Sequence, residues 1–486
     1  SGGIQGPDDV WGFRYYGKTR PLSIVSKLVV NEGNRNAFEQ IGSEKERTKS
    51  FREDVERSID QYSWPPIDGE AELDSFKAHS IFYKHAQECE EPSQTFQNII
   101  LDLAEEEYRG CAVDIDGFKT KEHFESVIRA LDFKSSPGIP FCYEKPTIGE
   151  WLEYNGCTMN MLKVDKLWMM VNDLMETPVD EWDCLWRTFV KQEPHKKSKQ
   201  ESKRWRLIMC PPLHLQILWQ MVFAKQNQAE IDNTYYIPSQ HGLIIPYGQW
   251  KMFYDQWKYQ GLTHGVDATA YDWTTPPWIL RLDLRFRKRQ VRGFEFSDWE
   301  HQADKLFEDA FGKCKIVFSD GRILQQKFYG IQKSGSVVTI TTNGHGGFFH
   351  HINYCLQTNT SIEPIPKFCG DDQIKSEKHL IDLSVYKRFG LIIKSISPVL
   401  EFVGHEFHQE GPRPMYILKH IYNMLYQNEE YVVDTLDSYL RLNVMYSYGW
   451  EFWMSFARHR GLSGKVLSKA YYNSWYNNPE GAVKRE

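Results

Sequence analysis

The chain of 486 residues is 41% hydrophobic and 25% charged, ordinary globular values that exclude a collagen-like, coiled-coil or wholly disordered protein. Its 58 basic and 65 acidic residues leave a formal charge of −7, so the molecule as a whole does not advertise a polyanion-binding surface, and any basic site must be local. Nine scattered cysteines, odd in number and without a Cys-x-x-Cys pair, argue against a disulfide framework and a structural zinc site and fit a reducing compartment.

At a mean hydropathy of −0.55, with no uncharged apolar run near the roughly 18 residues of a spanning helix and no signal sequence, the chain reads as soluble and not secreted. The Asn359-Thr360-Ser361 sequon then reads as a chance loop tripeptide. The Ser1-Gly2-Gly3 start, lacking an initiator Met, reads as a processed product or an expression scar. Length suggests roughly three domain-sized units, expected as lobes of one enzyme. No internal repeat is present, which disfavours solenoids and propellers.

In chain order, residues 1–130 hold a Gly/Pro/Asp-rich start, an apolar stretch at 22–30 and a charged, helix-favouring segment at 37–62 that is closed by Pro65-Pro66. The Lys-Ser-Ser-Pro-Gly-Ile-Pro sequence at 134–140 predicts a loop. Helical patterns run on to about Val190. Residues 191–206 then carry seven basic side chains against Glu193 and Glu201, the local positive site that the net charge hides. Residues 263–271, 315–318 and 366–374 read as short strands, and 276–291 and 339–356 as helices. After residue 415 apolar positions (Ile417, Ile421, Leu425, Leu440, Leu442, Met445) recur at helical spacing. Strands interleaved with helices predict an α+β core.

Two acidic clusters carry the chemistry. An apolar approach delivers Asp267 to a strand end with Asp272 five residues on, and Phe368-Cys369-Gly370-Asp371-Asp372-Gln373-Ile374 places adjacent acids at a hairpin that Gly370 allows to turn tightly. Like charges side by side are costly without a counter-ion. Carboxylate oxygens are the hard ligands that Mg2+ or Mn2+ prefer, and two such ions can clamp a transferring phosphoryl group. Asp267 and Asp371 are expected as principal metal ligands, with Asp372 assisting. Between the clusters, Lys333-Ser334-Gly335 turns into a helix on which Thr339 and Asn343 share a face. With Asp272 this polar pair is suited to hydrogen-bond a ribose 2′-hydroxyl.

Together, Asp267-x4-Asp272, Ser334-Gly335-x3-Thr339-x3-Asn343 and Gly370-Asp371-Asp372, in this order and spacing, resemble the core motifs of viral RNA-dependent RNA polymerases. Residues 191–195 and 204–208 are similar to that family's basic fingers motif, which grips the triphosphate. The resemblance implies Arg206 as its central arginine, with Arg204, Lys191 and Lys199 beside it. Ser136, Pro137, Gly138 and Pro140 resemble the fingers loop over which the template strand passes, and residues 400–405 the primer-grip hairpin between palm and thumb. The wording is most like that of sobemovirus and polerovirus enzymes of positive-strand RNA viruses.

What the resemblance implies is an α+β right-hand polymerase fold with an antiparallel-sheet palm and a helical thumb. Its expected divisions are an N-terminal region with fingers (1–130), fingers with palm elements (131–260), palm (261–408) and thumb (409–486). It implies template-directed RNA synthesis with two Mg2+ or Mn2+ ions, acting on RNA template, nascent RNA and nucleoside triphosphates. Ser334 and Gly335 would form a mobile loop under the template base pair. A lysine following the acidic hairpin would protonate the pyrophosphate, with Lys394 preferred over Lys387 and Lys375. Partners would include a viral protein primer and other replication proteins, in the host cytoplasm at a membrane reached through those partners. A non-catalytic RNA-binding scaffold and a reverse transcriptase are the rival readings. Asp272 with Asn343 argues against the second, and intact carboxylates against the first. The basic run 281–292 reads as a solvated helix face, and His345, His350 and His351 as helix packing behind the site.

Overall fold

The structure is a computed structural model that describes residues 10–22, 28–41, 43 and 49–478. The Ser1-Gly2-Gly3 start and the centre of the 22–30 apolar stretch lie outside the described residues. At the middle of the chain stands a four-stranded antiparallel sheet in the order Lys367–Cys369, Asp372–Lys375, His264–Ala268, Ile393–Ser397. Cys369 pairs with Asp372, which leaves Gly370 and Asp371 as a two-residue turn, and Gly370 has φ +58°, a conformation that glycine adopts without the Cβ clash. On the other side Gln373 pairs with Val266, a register that carries Asp372 to the level of Asp267. The two acidic clusters, a hundred residues apart in sequence, are thus brought together by strand pairing.

A second, five-stranded sheet runs Phe13–Lys18, Arg322–Gln326, Lys315–Val317, Trp186–Val190, Leu207–Cys210. It corrects the helical reading of the segment up to Val190. Helices occupy Ile148–Trp151 and Met161–Glu176, but Trp186–Val190 is a strand with Trp186, Thr188 and Val190 buried on one side. Its aromatic and β-branched residues alternate at the period of a half-buried strand. Beyond the four-stranded sheet, strands Glu401–Phe402, His405–His408 and Gly411–Pro414 lead into helices Ile417–Leu425, Val432–Asn443, Ser447–His459 and Lys469–Asn477, the helical C-terminal lobe expected from spacing.

Two described N-terminal segments pack on different parts of the fold. Strand Phe13–Lys18 pairs with Arg322–Gln326, whereas helices Glu32–Ile41 and Lys49–Gln61 lie on the C-terminal helices. Phe38 faces Phe456 at 4.8 Å between ring centres, and Phe51 meets Phe452 edge to face. Asn34 Nδ2 donates to the Met424 carbonyl at 2.7 Å and Ser58 Oγ to the Leu418 carbonyl at 2.6 Å, so buried polar groups fix the docking as well as apolar contact.

The helix Thr339–Thr358 is buried along most of its length yet carries polar residues, of which Thr341, Thr342 and His345 are satisfied by an ionic cluster. His345 Nδ1 lies 2.6 Å from Asp283 Oδ1, and Nε2 lies 2.9 Å from Glu230 Oε1. Arg287 Nε bonds Asp283 Oδ2 at 2.9 Å, and Arg287 Nη2 reaches Thr341 and Thr342. His241 Nε2 lies 3.4 Å from the same Glu230 Oε1. The reading of 281–292 as a solvated face holds for Arg281, Arg289 and Arg292, which are exposed, and fails for Arg287, which is only 1% exposed. A buried guanidinium persists where carboxylate and hydroxyl partners replace its water. Burial by itself would lower the His345 pKa, but the Glu230 and Asp283 carboxylates outweigh it and lift the ring to about 9. Tyr108 and Phe286 close over the ring edge to face.

A histidine whose folded pKa stands above its ordinary value stabilises the fold fully below pH ~6.5, and that contribution is lost as pH rises toward 9. His345→Gln is therefore expected to cost about 3–5 kcal/mol near pH 6, leaving two carboxylates without their shared cation. In thermal unfolding scans the gap between wild type and variant should shrink steadily from pH 6.5 to 9; a gap that stays constant would contradict a protonated ring.

Candidate active site

The floor of the site is made by Asp267 at the end of its strand, Asp371 at the hairpin turn and Asp372 beside them. Asp372 Oδ2 accepts a hydrogen bond from the Val403 N–H at 3.2 Å, so the turn between strands Glu401–Phe402 and His405–His408 braces the carboxylate. Val403 has φ +51° and Gly404 φ +70°, and a β-branched residue in the left-handed region is strained. Burial, then the Asp371 charge, pushes Asp372 up to about 7, with Asp267 and Glu401 adding to it. Asp371 reaches solvent at the turn, but the cleft walls desolvate its carboxyl and its pKa is raised, with Arg206 opposing and Asp267 reinforcing the shift. Asp272 is pushed up to about 7 by burial and Asp371, against the hydrogen bond from Asn343. A set of carboxylate oxygens destabilised by one another fits a hard divalent cation, which would relieve the repulsion.

Cations face this floor from the 191–206 segment, where strand His195–Lys196, helix Lys197–Ser202 and strand Leu207–Cys210 follow one another. Glu193, the one acid among them that turns inward, organises the group. Its carboxylate holds Arg206 Nη1 at 3.1 Å, Lys191 Nζ at 3.5 Å and Lys419 Nζ from helix Ile417–Leu425 at 3.2 Å. His195 locks the bend, as its Nε2 accepts from the Arg206 N–H at 3.1 Å while Nδ1 donates to the Glu193 carbonyl. Arg206 remains largely exposed, yet its charge is felt at both Asp371 and Asp272. Burial, then Arg204 and Lys394, lower the Lys199 pKa while Asp267 raises it, so Lys199 stands among these groups. Arg204 is half-buried, its guanidinium over the Phe82 ring at 4.5 Å and its Nε buried without a hydrogen-bond partner, so part of this side chain is engaged in packing, while its charge acts on Lys199.

The predicted sugar-reading pair is present in part. Asn343 Nδ2 donates to Asp272 Oδ1 at 3.1 Å, and the Asn343 carbonyl accepts from Tyr271 Oη. Thr339 takes a different job, because its Oγ1 donates to the Lys333 carbonyl at 2.6 Å and meets Ser336 Oγ at 2.9 Å. The hydroxyl closes the turn before the helix and has no proton left for a ribose. Ser334 Oγ donates to the Leu207 carbonyl at 2.8 Å, and a Cβ on Gly335 would stand 2.2 Å from the Met209 carbonyl. Only glycine lets this turn lie against strand Leu207–Cys210.

In the template-loop candidate, Pro137 and Gly138 are buried, Gly138 at φ +67° with the Pro211 carbonyl 2.7 Å from where its Cβ would be. These two residues shape the loop against residues 211–213 and do not present a surface, which corrects their reading as strand-contacting residues. Pro140 is exposed, whereas Ser136 is half-buried, its Oγ accepting from the Gly138 N–H at 3.2 Å and from Arg187 Nη1 at 3.4 Å. Lys394 sits where the register slips between Ile393 and Ser395, and a bulge of this kind re-aims the extra side chain; its charge is felt at Lys199. Of its competitors, Lys375 is enclosed, Nζ under the Tyr386 and Phe368 rings, and Lys387 neighbours His85. Sequence reasoning missed Tyr416, whose hydroxyl feels Asp372, Asp267 and Glu401, and the role of Glu193. An acid inside a basic run was the available signal for Glu193; nothing marked Tyr416.

Comparison with known proteins agrees with this geometry. The family model described as viral RNA-dependent RNA polymerase matches residues 56–345, more than half of the chain. Protein P2-P3 of Poinsettia latent virus is 26% identical over 479 residues, covering 88% of this chain and 40% of its own length. Replicase polyprotein P2AB of Southern bean mosaic virus is 26% identical over 339 residues, covering 65% of this chain and 34% of its own. The chain thus spans between a third and two-fifths of these relatives' lengths. Among solved structures, a Sicinivirus 3Dpol RNA dependent RNA polymerase superposes with a TM-score of 0.61 at 14% identity, over 80% of this chain and 86% of that one. That likeness is one of fold: a right-hand polymerase in which the four-stranded sheet is the palm and the C-terminal helices the thumb. With the carboxylate hairpin, the basic wall and the family match all on one chain, the protein belongs to the viral RNA-dependent RNA polymerase family.

Proposed function

We propose that this chain copies RNA from an RNA template by two-metal-ion nucleotidyl transfer, within a positive-strand RNA virus replicase. The observation that carries the reading is the meeting of Asp267, Asp371 and Asp372 with Arg206 and Lys199 above them and the Asp272–Asn343 pair to one side. Enzymes of this family generally use divalent metal ions. Mg2+ or Mn2+ bound by Asp267 and Asp371, with Asp372 assisting, would activate the primer 3′-hydroxyl and neutralise charge on the transferring phosphate.

The chain's own residues do the rest. Arg206 and Lys191, oriented by Glu193, hold the triphosphate of the incoming nucleotide, the guanidinium being suited to bidentate phosphate contact. Lys199 adds positive field along the same wall. Asp272 and Asn343 offer an acceptor and a donor to the ribose 2′-hydroxyl, so a deoxynucleotide leaves a buried polar pair incompletely satisfied. Ser334 and Gly335 hold the turn beneath the base pair, Ser136 and Pro140 line the template path, and Lys394 delivers a proton to the departing pyrophosphate. RNA, nucleoside triphosphates, a protein primer and other replication proteins are the partners we propose. No helix among the described residues is long and apolar enough to cross a membrane; we propose cytoplasmic replication complexes in which other proteins supply any membrane contact.

Labelled-nucleotide incorporation on single-stranded RNA with Mg2+ or Mn2+ tests the reading. Asp371→Ala should fold normally and lose about 10^3-fold or more of the activity; a chain whose activity survives this change is not working through the palm carboxylates. Asn343→Ala should narrow the preference for ribo- over deoxynucleotides roughly tenfold, the worth of one hydrogen bond to a polar group, read from kcat/KM for each pair; unchanged discrimination would remove the sugar-reading role. Lys394→Ala should lower kcat about 10^2-fold with KM little changed, since a general acid acts in the transition state; an unchanged kcat would assign the proton to another group.

A further inference from the structure

Behind the carboxylate hairpin the far end of helix Thr339–Thr358 carries His351 and Cys355, one turn apart on the same face, and the 3-10 turn Glu377–His379, which follows strand Asp372–Lys375, brings His379 against them. All three are buried, and a ligand atom from each lies within 4.8 Å of the other two. The two imidazoles meet edge to face at 4.5 Å. The His351 ring lies against Cys355, with Nε2 3.8 Å from Sγ.

The hydrogen bonds show how the rings are set. His351 Nε2 donates to the Ile362 carbonyl and His379 Nε2 to the Ser361 carbonyl, each at 2.8 Å. A carbonyl only accepts, so the proton of each neutral ring is at Nε2 and the lone pair at Nδ1. Both Nδ1 atoms are buried and without a hydrogen-bond partner. A ring whose N–H is anchored on a backbone carbonyl while its other nitrogen stays bare has the arrangement of a metal-binding histidine. Cys355 Sγ is engaged only by long contacts, 3.7 Å to the Ser361 carbonyl and 3.8 Å to His351. Nearby, Lys375 is fully buried with the Tyr386 hydroxyl as its hydrogen-bond acceptor at 3.3 Å and no ion pair to a carboxylate among the described residues. A thiolate at Cys355 would give that ammonium an anionic neighbour.

We propose that His351, Cys355 and His379 form a structural site for Zn2+, with a loop carbonyl or a water as the fourth ligand. Two imidazoles and a thiolate are a borderline-soft donor set, distinct from the all-oxygen set of the cleft, and so select zinc over Mg2+. The absence of a Cys-x-x-Cys pair argued against zinc from sequence, but this set uses a single cysteine and draws its third ligand from the segment after the hairpin. The ion would staple the helix bearing Asn343 to the strand bearing Asp372, holding the sugar-reading and carboxylate elements in register without touching substrate.

The test is metal content and Co2+ substitution of the full chain, prepared without chelator and with excess Mg2+ present to occupy the cleft. Expected are one equivalent of zinc per chain and, after exchange, the visible bands of tetrahedral Co2+ with a near-ultraviolet thiolate-to-cobalt band. Both should be lost in Cys355→Ser and in His379→Gln and kept in Asp371→Asn. Chelation should lower the melting temperature of the wild type by several degrees and leave Cys355→Ser unmoved. Absence of stoichiometric zinc, Co2+ binding without a thiolate band, or a band that persists in Cys355→Ser would each overturn the proposal. The wild-type Co2+ spectrum decides it even where a variant fails to fold.

Discussion

Mutual repulsion of carboxylates at the centre of the palm is the constraint around which the molecule is arranged. Asp267, Asp371 and Asp372 are held together by strand register, with Asp272 close enough to feel Asp371. Nothing about four neighbouring acids stabilises a fold. Their proximity has to be imposed by the sheet, the Gly370 turn and the brace from Val403, and offset by cations brought from elsewhere in the chain.

Those cations are held in turn by an acid. Glu193 gathers Arg206, Lys191 and Lys419, so one carboxylate links the basic wall to helix Ile417–Leu425 and orients these cations while leaving Arg206 open to solvent. The same logic operates behind the site, where His345 and Arg287 share Glu230 and Asp283 beneath the helix that carries Asn343. Charged networks of this sort add little net stability compared with apolar packing, but their geometry is exacting. Here they position the side chain that meets Asp272 from two directions, through Tyr271 below and through the Arg287 contacts to Thr341 and Thr342.

Chemistry-bearing motifs were legible because their residue types are unusual in combination. Adjacent acids beside a glycine, and Thr and Asn at helical spacing, read correctly as to location. Individual roles within them were less legible. Thr339 and Asn343 look equivalent on a helical wheel, yet Thr339 lies in the first turn, where its hydroxyl finds the Lys333 carbonyl, whereas Asn343 lies one turn deeper, opposite Asp272. Arg204 and Arg206 are two residues apart in a basic run, but only the first has Phe82 beneath it. In the template loop, composition marked a turn correctly, while the proximity of residues 211–213, far along the chain, buried Pro137 and Gly138.

By itself the sequence determined the α+β class, the helical C-terminal lobe, the acidic hairpin and the basic segment, because these rest on local composition, periodicity and turn chemistry. Tertiary structure alone decided which of those residues face one another. The Asp372–Asp267 register, the Lys394 bulge, the burial of Arg287, the arrival of Tyr416 beside the carboxylates and the gathering of His351, Cys355 and His379 all depend on contacts between segments distant in the chain. Such contacts leave no periodic trace, since each is set by the packing of whole elements rather than by the neighbours of a residue in sequence.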